Sequence, residues 1–289
     1  MGTAKKVDYN PTEEASMLET ITDDRGLDLA YQAIARDPKY AHFVNIPERI
    51  VRCLDHFGVV FDRVAVTDNL CAYYLFIGVV DDAIDSGNLE IGRDILERFH
   101  TQVPSFDHHT LASRVRLVTE VLKQHVRDDV YPLMLRKLHG LYRAVVAERK
   151  AETIAAYIEQ RRVVGHLTAE LSYVLIRPFL NGDDGRVRRL LKQVGAVGCL
   201  VDSMIDLRSD SQLGLLSFKP TISDRLKLMI STLGEGLSVL MKHPALLGVF
   251  LEAVSDNVRD RFRTGSRPAP RFVETARVQS SGTVFAPRL

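Results

Sequence analysis

The sequence predicts an all-α protein, a single bundle of about ten helices around a central cavity. Apolar residues recur at helical spacing in nearly every segment between Leu27 and Phe262. The breaks between segments fall on helix stop and start signals such as Pro38, Gly58, Ser86-Gly87 and Pro178. No stretch alternates polar and apolar residues between hairpin turns, which argues against a sheet.

Asn10-Pro11 supplies an N-cap and a first-turn proline, so a short helix is expected through Ile21. Leu27, Ala30, Tyr31 and Ile34 mark one face of a helix over Leu27–Arg36, ended by Pro38. Pro47 opens the next, which runs to Phe57 and stops at Gly58. Thr67 or Asp68 caps a longer helix from Asn69 to Asp85, closed by Ser86-Gly87. Further helices are expected at Leu89–Phe99, Leu111–His125, Tyr131–Arg149 and Glu152–Ile176, the last ended by Pro178 and the Asn181–Gly185 turn. Gly185–Asp210, Ile222–Leu240 and Leu246–Phe262 complete the set. Residues 1–10 read as an N-terminal extension, 11–263 as one helical domain and 264–289 as a surface tail without periodicity.

A chain of 289 residues, 46% hydrophobic and 26% charged, can bury a sizeable core. Lys+Arg 38 against Asp+Glu 37 leaves a net charge of +1, which argues against a nucleic-acid partner held by bulk positive charge. Cys53, Cys71 and Cys199 are scattered in apolar surroundings, without zinc-site spacing, and read as free thiols. The first ten residues lack the apolar stretch of a signal peptide, and Leu70–Val80 is too short to span a bilayer. The expectation is a cytoplasmic protein with no integral membrane segment; a homodimer is compatible with it.

The functional signal is acidic. Asp81, Asp82 and Asp85 sit at the C-terminal end of an apolar helix. Asp81 and Asp85 share a face, where like charges repel, and they lie at the negative end of the helix dipole. A cation relieves both penalties. Asp202, Asp206 and Asp210 form a second stripe at i, i+4 and i+8, again after an apolar run. It spans about 12 Å. Asp23-Asp24, Asp128-Asp129 and Asp183-Asp184 lack these features and read as turns or caps. Two all-oxygen stripes facing each other across a cavity suit Mg²⁺, in a cluster of up to three ions, and such a cluster grips a diphosphate.

At these residues the sequence resembles the class I isoprenoid synthases. Asp81-Asp82-Ala83-Ile84-Asp85 matches their DDxxD motif. Asp202 through Asp210 is similar to the second aspartate motif of squalene and phytoene synthases, with Asp202 where that group often has Asn. Its continuation through Gly214 to Ser217-Phe218 is closer to the bacterial large-terpene synthases, and Tyr157 to His166 resembles the Tyr…Val-Ala-Gly helix of the squalene and phytoene group. The resemblance covers residues 27–262. Two elements depart from it. The Ser-x-Ser-Phe element of head-to-head synthases is missing, the matching region Asp37–Ile46 reading DPKYAHFVNI, and the Asn/Asp…Ser…Glu motif of plant and fungal cyclases is absent.

The resemblance implies the isoprenoid synthase fold and a Mg²⁺-dependent terpene synthase acting on a prenyl diphosphate. Asp81, Asp82 and Asp85 would hold metal on one wall, and Asp202, Asp206 and Asp210 on the other. Alternatives are a head-to-head prenyltransferase and a non-catalytic prenyl-diphosphate-binding helical protein. Arg161, Arg208 and Lys219 are the best-placed cations for diphosphate, ahead of Arg162, Arg52 and Arg49. Tyr73, Phe76, Tyr157, Phe179 and Phe218 are candidates to line the cavity, where a ring face stabilises a passing carbocation. His166 and Glu170, one turn apart, form a further candidate pair.

Overall fold

A computed structural model describes residues 27–86, 90–98, 109–182, 185–248, 251–252 and 255. Most of these residues fall in nine helices: α1 (27–35), α2 (Ala41–His56), α3 (Arg63–Asp85), α4 (Glu90–Arg98), α5 (Leu111–His125), α6 (Tyr131–Arg149), α7 (Ile154–Ile176), α8 (Arg186–Gln212) and α9 (Ile222–Lys242). The all-α expectation holds. The expected helix over Asn10–Ile21, the extension and the tail lie outside the described residues, as does most of Leu246–Phe262.

Side chains at the helix starts explain several boundaries. Thr110 and Ser113 form a reciprocal capping box on α5, and Thr221 and Asp224 form another on α9. Thr153 accepts from the Ala156 amide at 3.2 Å and starts α7. Asp62 accepts from the Ala65 amide at 3.1 Å, so α3 begins at Arg63, six residues ahead of the predicted Asn69. The added turns lie near the surface, where Val64 is exposed, and apolar periodicity does not mark them.

Pro47 is a correction. It lies inside α2, buried, and does not start it. Asp37 caps a 3₁₀ turn at Pro38–Tyr40, and that turn runs directly into α2. Pro38 therefore takes the first-turn place where a missing N–H costs nothing, while Pro47 gives up one helical bond in the interior. A minimal two-stranded ladder is the other departure. β1 (Val60–Phe61) pairs antiparallel with β2 (Leu180–Asn181), Val60 opposite Asn181. Two residues per strand are too few for alternation to be legible.

The core centres on α3. Leu70, Tyr73, Leu75, Phe76 and Val79 are buried against α2, α5 and α7. By length and composition α3 is apolar enough to cross a bilayer, but over half of its apolar window is buried inside the bundle. The closest helix contact is between α7 and α8. A Cβ on Gly195 would sit 2.6 Å from the Gly165 carbonyl oxygen, so glycine at both positions lets the two backbones touch. The two helices run antiparallel, with Arg161 beside Asp202 at one end and Glu170 beside Arg188 at the other.

Candidate functional site

The Gly165–Gly195 contact sets the register of the site. Arg161 lies one turn before Gly165 on α7, and Cys199 and Asp202 follow Gly195 on α8. Arg161 Nη2 donates to Asp202 Oδ2 at 3.0 Å and to the Cys199 carbonyl at 3.2 Å. Its Nη1 donates to Glu148 Oε1, at the end of α6, at 3.3 Å. Its Nε is buried without a hydrogen-bond partner among the described residues. Burial by itself would lower the Arg161 pKa, but Glu148 and Asp202 hold it well above the usual value. This guanidinium is the fixed positive floor of the site.

The end of α3 enters from the other side. Asp85 is ion-paired to Arg149, the last residue of α6. Asp81, one turn earlier on α3, is exposed, with the carboxylates of Asp85, Asp202 and Glu148 around it. Its pKa is pushed up to about 8, first by desolvation and then by Asp85, with Asp202 and Glu148 adding to the effect and Arg161 opposing it. Asp210 rises to about 6, by desolvation and then by the charges of Asp85 and Asp202. Desolvation also raises Glu148, against the pull of Arg161. Residues from α3, α6 and α8 that are far apart in sequence thus feel one another as like charges.

The α8–α9 loop closes one side. Gly214 takes a positive φ of 71°, Ser217 Oγ donates to the Arg149 carbonyl at 2.5 Å, and the Phe218 ring meets the Tyr157 ring edge-on at 5.9 Å. Tyr157 is almost fully buried, and its hydroxyl is pushed up to about 12, chiefly by desolvation. Asp206 lies between Asp202 and Asp210, half-buried, and accepts from Ser209 Oγ at 3.4 Å.

Other predicted residues fall elsewhere. The Asp82 carboxylate accepts from the Tyr40 hydroxyl at 2.9 Å and is ion-paired to Lys39, which ties the end of α3 to the turn before α2. Arg208 and Lys219 are exposed, Arg208 because it is two residues, and so about 200°, around α8 from Asp206. Tyr73 and Phe76 are core residues; the Tyr73 hydroxyl donates to the Thr168 carbonyl at 3.1 Å. Phe179 is half-buried, and its carbonyl accepts from the Asp62 amide. Arg162 pairs with Glu159 and Glu235, and Arg52 with Glu48 and Glu252. Glu170 pairs with Arg188 and Lys137 across the helix contact, so the candidate pair with His166 is corrected.

Sequence reasoning missed Glu148 and Arg149. They end α6 in a run of charged residues, Glu148-Arg149-Lys150, that reads as an ordinary solvated helix end. Only the approach of α6 to α3 and α7 reveals them. A cleft of about 570 Å³ opens elsewhere, where Lys137, Glu170, Arg177 and Arg188 meet, nine residues along α7 from Arg161. It does not include the acidic stripes.

Among the described residues no three His, Cys, Asp or Glu side chains converge to hold an ion on their own. The donor set fits Mg²⁺ in another way. That ion takes one or two carboxylates and fills its octahedron with water and phosphate oxygens, and a closed protein cage is not needed. Beyond desolvation, Asp85 and Asp202 raise the carboxyl groups of both Asp81 and Asp210, and a cation beside these carboxylates would relieve that repulsion.

No protein-family model matches the chain. No curated protein and no solved structure matches it either.

Proposed function

We propose that the protein is a Mg²⁺-dependent class I terpene synthase, which ionises a prenyl diphosphate and converts the carbocation to a terpene. The observation that supports this reading is the meeting of two acidic helix segments, Asp81/Asp85 and Asp202/Asp210, in one electrostatic neighbourhood around Arg161.

In this reading Asp81 and Asp85 on α3, and Asp202, Asp206 and Asp210 on α8, hold the ions. Mg²⁺ held by these residues would supply the positive charge that neutralises a leaving diphosphate and eases cleavage of the carbon–oxygen bond. Arg161 positions Asp202, because it grips that carboxylate and Glu148 together. Arg149 lies at the mouth through its pairing with Asp85 and is the cation best placed to meet diphosphate oxygens. This role replaces the one expected of Arg208 and Lys219. Asp82, gripped by Lys39 and Tyr40, fixes the end of α3 against α2 and completes the motif as a positioning residue. Phe218, half-buried and packed edge-on against the buried Tyr157, is the ring placed to meet a cation, at about 1–2 kcal/mol when desolvated.

The missing Ser-x-Ser-Phe element favours ionisation of one substrate over coupling of two. Incubation with a C10–C25 panel of prenyl diphosphates, with Mg²⁺ and after EDTA treatment, tests both points. The expected product has the carbon count of one substrate and forms only with the divalent ion. A product with the carbons of two substrates, released with two diphosphates, would move the assignment to head-to-head coupling. Absence of diphosphate release with every substrate would leave a binding protein.

A further inference from the structure

α9 carries a second apolar face that the bundle does not use. Its inner face, Leu228, Thr232 and Gly236, is buried against the bundle. Its outer face presents Ile222, Leu226, Met229, Ile230, Leu233, Leu237 and Met241, each 40–86% exposed. Six of these form a pattern that reads the same in both directions. Ile222, Leu226 and Ile230 step by four from one end, and Met241, Leu237 and Leu233 step by four from the other. The midpoint falls between Ser231 and Thr232. The seventh residue, Met229, mirrors onto Gly234, where an added Cβ would meet nothing within 4 Å.

A two-fold axis demands this kind of self-complementarity. In an isologous contact the same patch serves both copies, and residue i meets j while j meets i. The stripe is about 28 Å long. Taking roughly 190 Å² for a fully exposed Ile, Leu or Met, it offers about 800 Å² per copy, the size of one side of a standard stable interface. Between Leu228 and Met241 the only charged residue is Glu235, and Arg162 of the same chain holds it. The centre of an interface is depleted of charge in the same way.

We propose that the chain forms a homodimer through the outer face of α9, with the two α9 helices antiparallel across a two-fold axis that meets this face at the level of Ser231-Thr232, between Ile230 and Leu233. The inference is independent of the proposed reaction. The full chain should elute with twice its 32.5 kDa mass in size-exclusion chromatography with light scattering at about 10 µM. Leu233→Glu with Leu237→Glu should halve that mass and leave the helical circular-dichroism signal unchanged. Oxidation should cross-link Leu233→Cys to its own counterpart, because it lies beside the axis, and leave Ile222→Cys uncross-linked, because its counterpart is at the far end. A wild-type monomer overturns the proposal, whether lipid vesicles or the chain's own terminal segments cover the stripe. A dimer that survives the double glutamate substitution overturns it too, as does cross-linking through Ile222→Cys alone.

Discussion

Replacing Asp81 with Asn should stabilise the metal-free protein at alkaline pH while removing its activity. Asp81 carries a pKa raised from an ordinary 3.8 to about 8. The native state therefore keeps a proton that the unfolded chain loses at lower pH, and stability falls as pH rises from the unfolded value through the folded one. In a dry interior a rise of that size would amount to about 6 kcal/mol. Asp81 is exposed, and solvent screening brings the contribution to about 1–2 kcal/mol. Asn has the same shape and no charge to desolvate. Near pH 8.5 the variant should be more stable by that amount, a midpoint higher by about 2–6 °C. Near pH 3, below the ordinary value of 3.8, the position is largely neutral in native and unfolded chains alike, and the difference should shrink toward zero. Thermal melts in EDTA at several pH values test this. The wild-type-minus-variant difference is the quantity to read, because Asp210, at about 6, titrates in the same window. A variant equally or less stable at pH 8.5, or a difference that ignores pH, would refute the crowded-carboxylate account.

Arg161→Leu should cost about 1–3 kcal/mol in urea unfolding, because Glu148, largely shielded from solvent, loses its partner, while Asp202 is nearly half exposed and is released to water. Gly195→Ala should cost about 1–3 kcal/mol in the same assay and reduce turnover, since the new Cβ forces α8 away from Gly165 and shifts Asp202 against Arg161. Asp206→Ala should abolish metal-dependent diphosphate release and keep its far-UV circular dichroism, because the residue is half-buried on an acidic stripe whose repulsion its removal relaxes; near-normal release by this variant would exclude α8 from the metal site.

Helix content, and most helix ends, were legible in the amino-acid sequence. α5 and α6 fall at their predicted limits because Thr110, His125, Tyr131 and Arg149 border clear apolar periodicity, and that signal is local. The two acidic stripes were legible for the same reason, since residues four apart on a helix share a face wherever that helix lies. Pro47 inside α2 and the early start of α3 were not, because a proline or an exposed first turn carries no mark of which neighbouring signal prevails. Tertiary structure alone decided which charges meet. Glu148 and Arg149 enter the site because the end of α6 comes against α3 and α7, while Arg208 leaves it by its angle on α8. Asp82 turns to Tyr40 and Lys39, and Asp81 faces Asp202 across more than a hundred residues of chain. Periodicity records one helix's faces; the partner each face meets depends on how helices dock, and here that docking is fixed by the absence of side chains at Gly165 and Gly195.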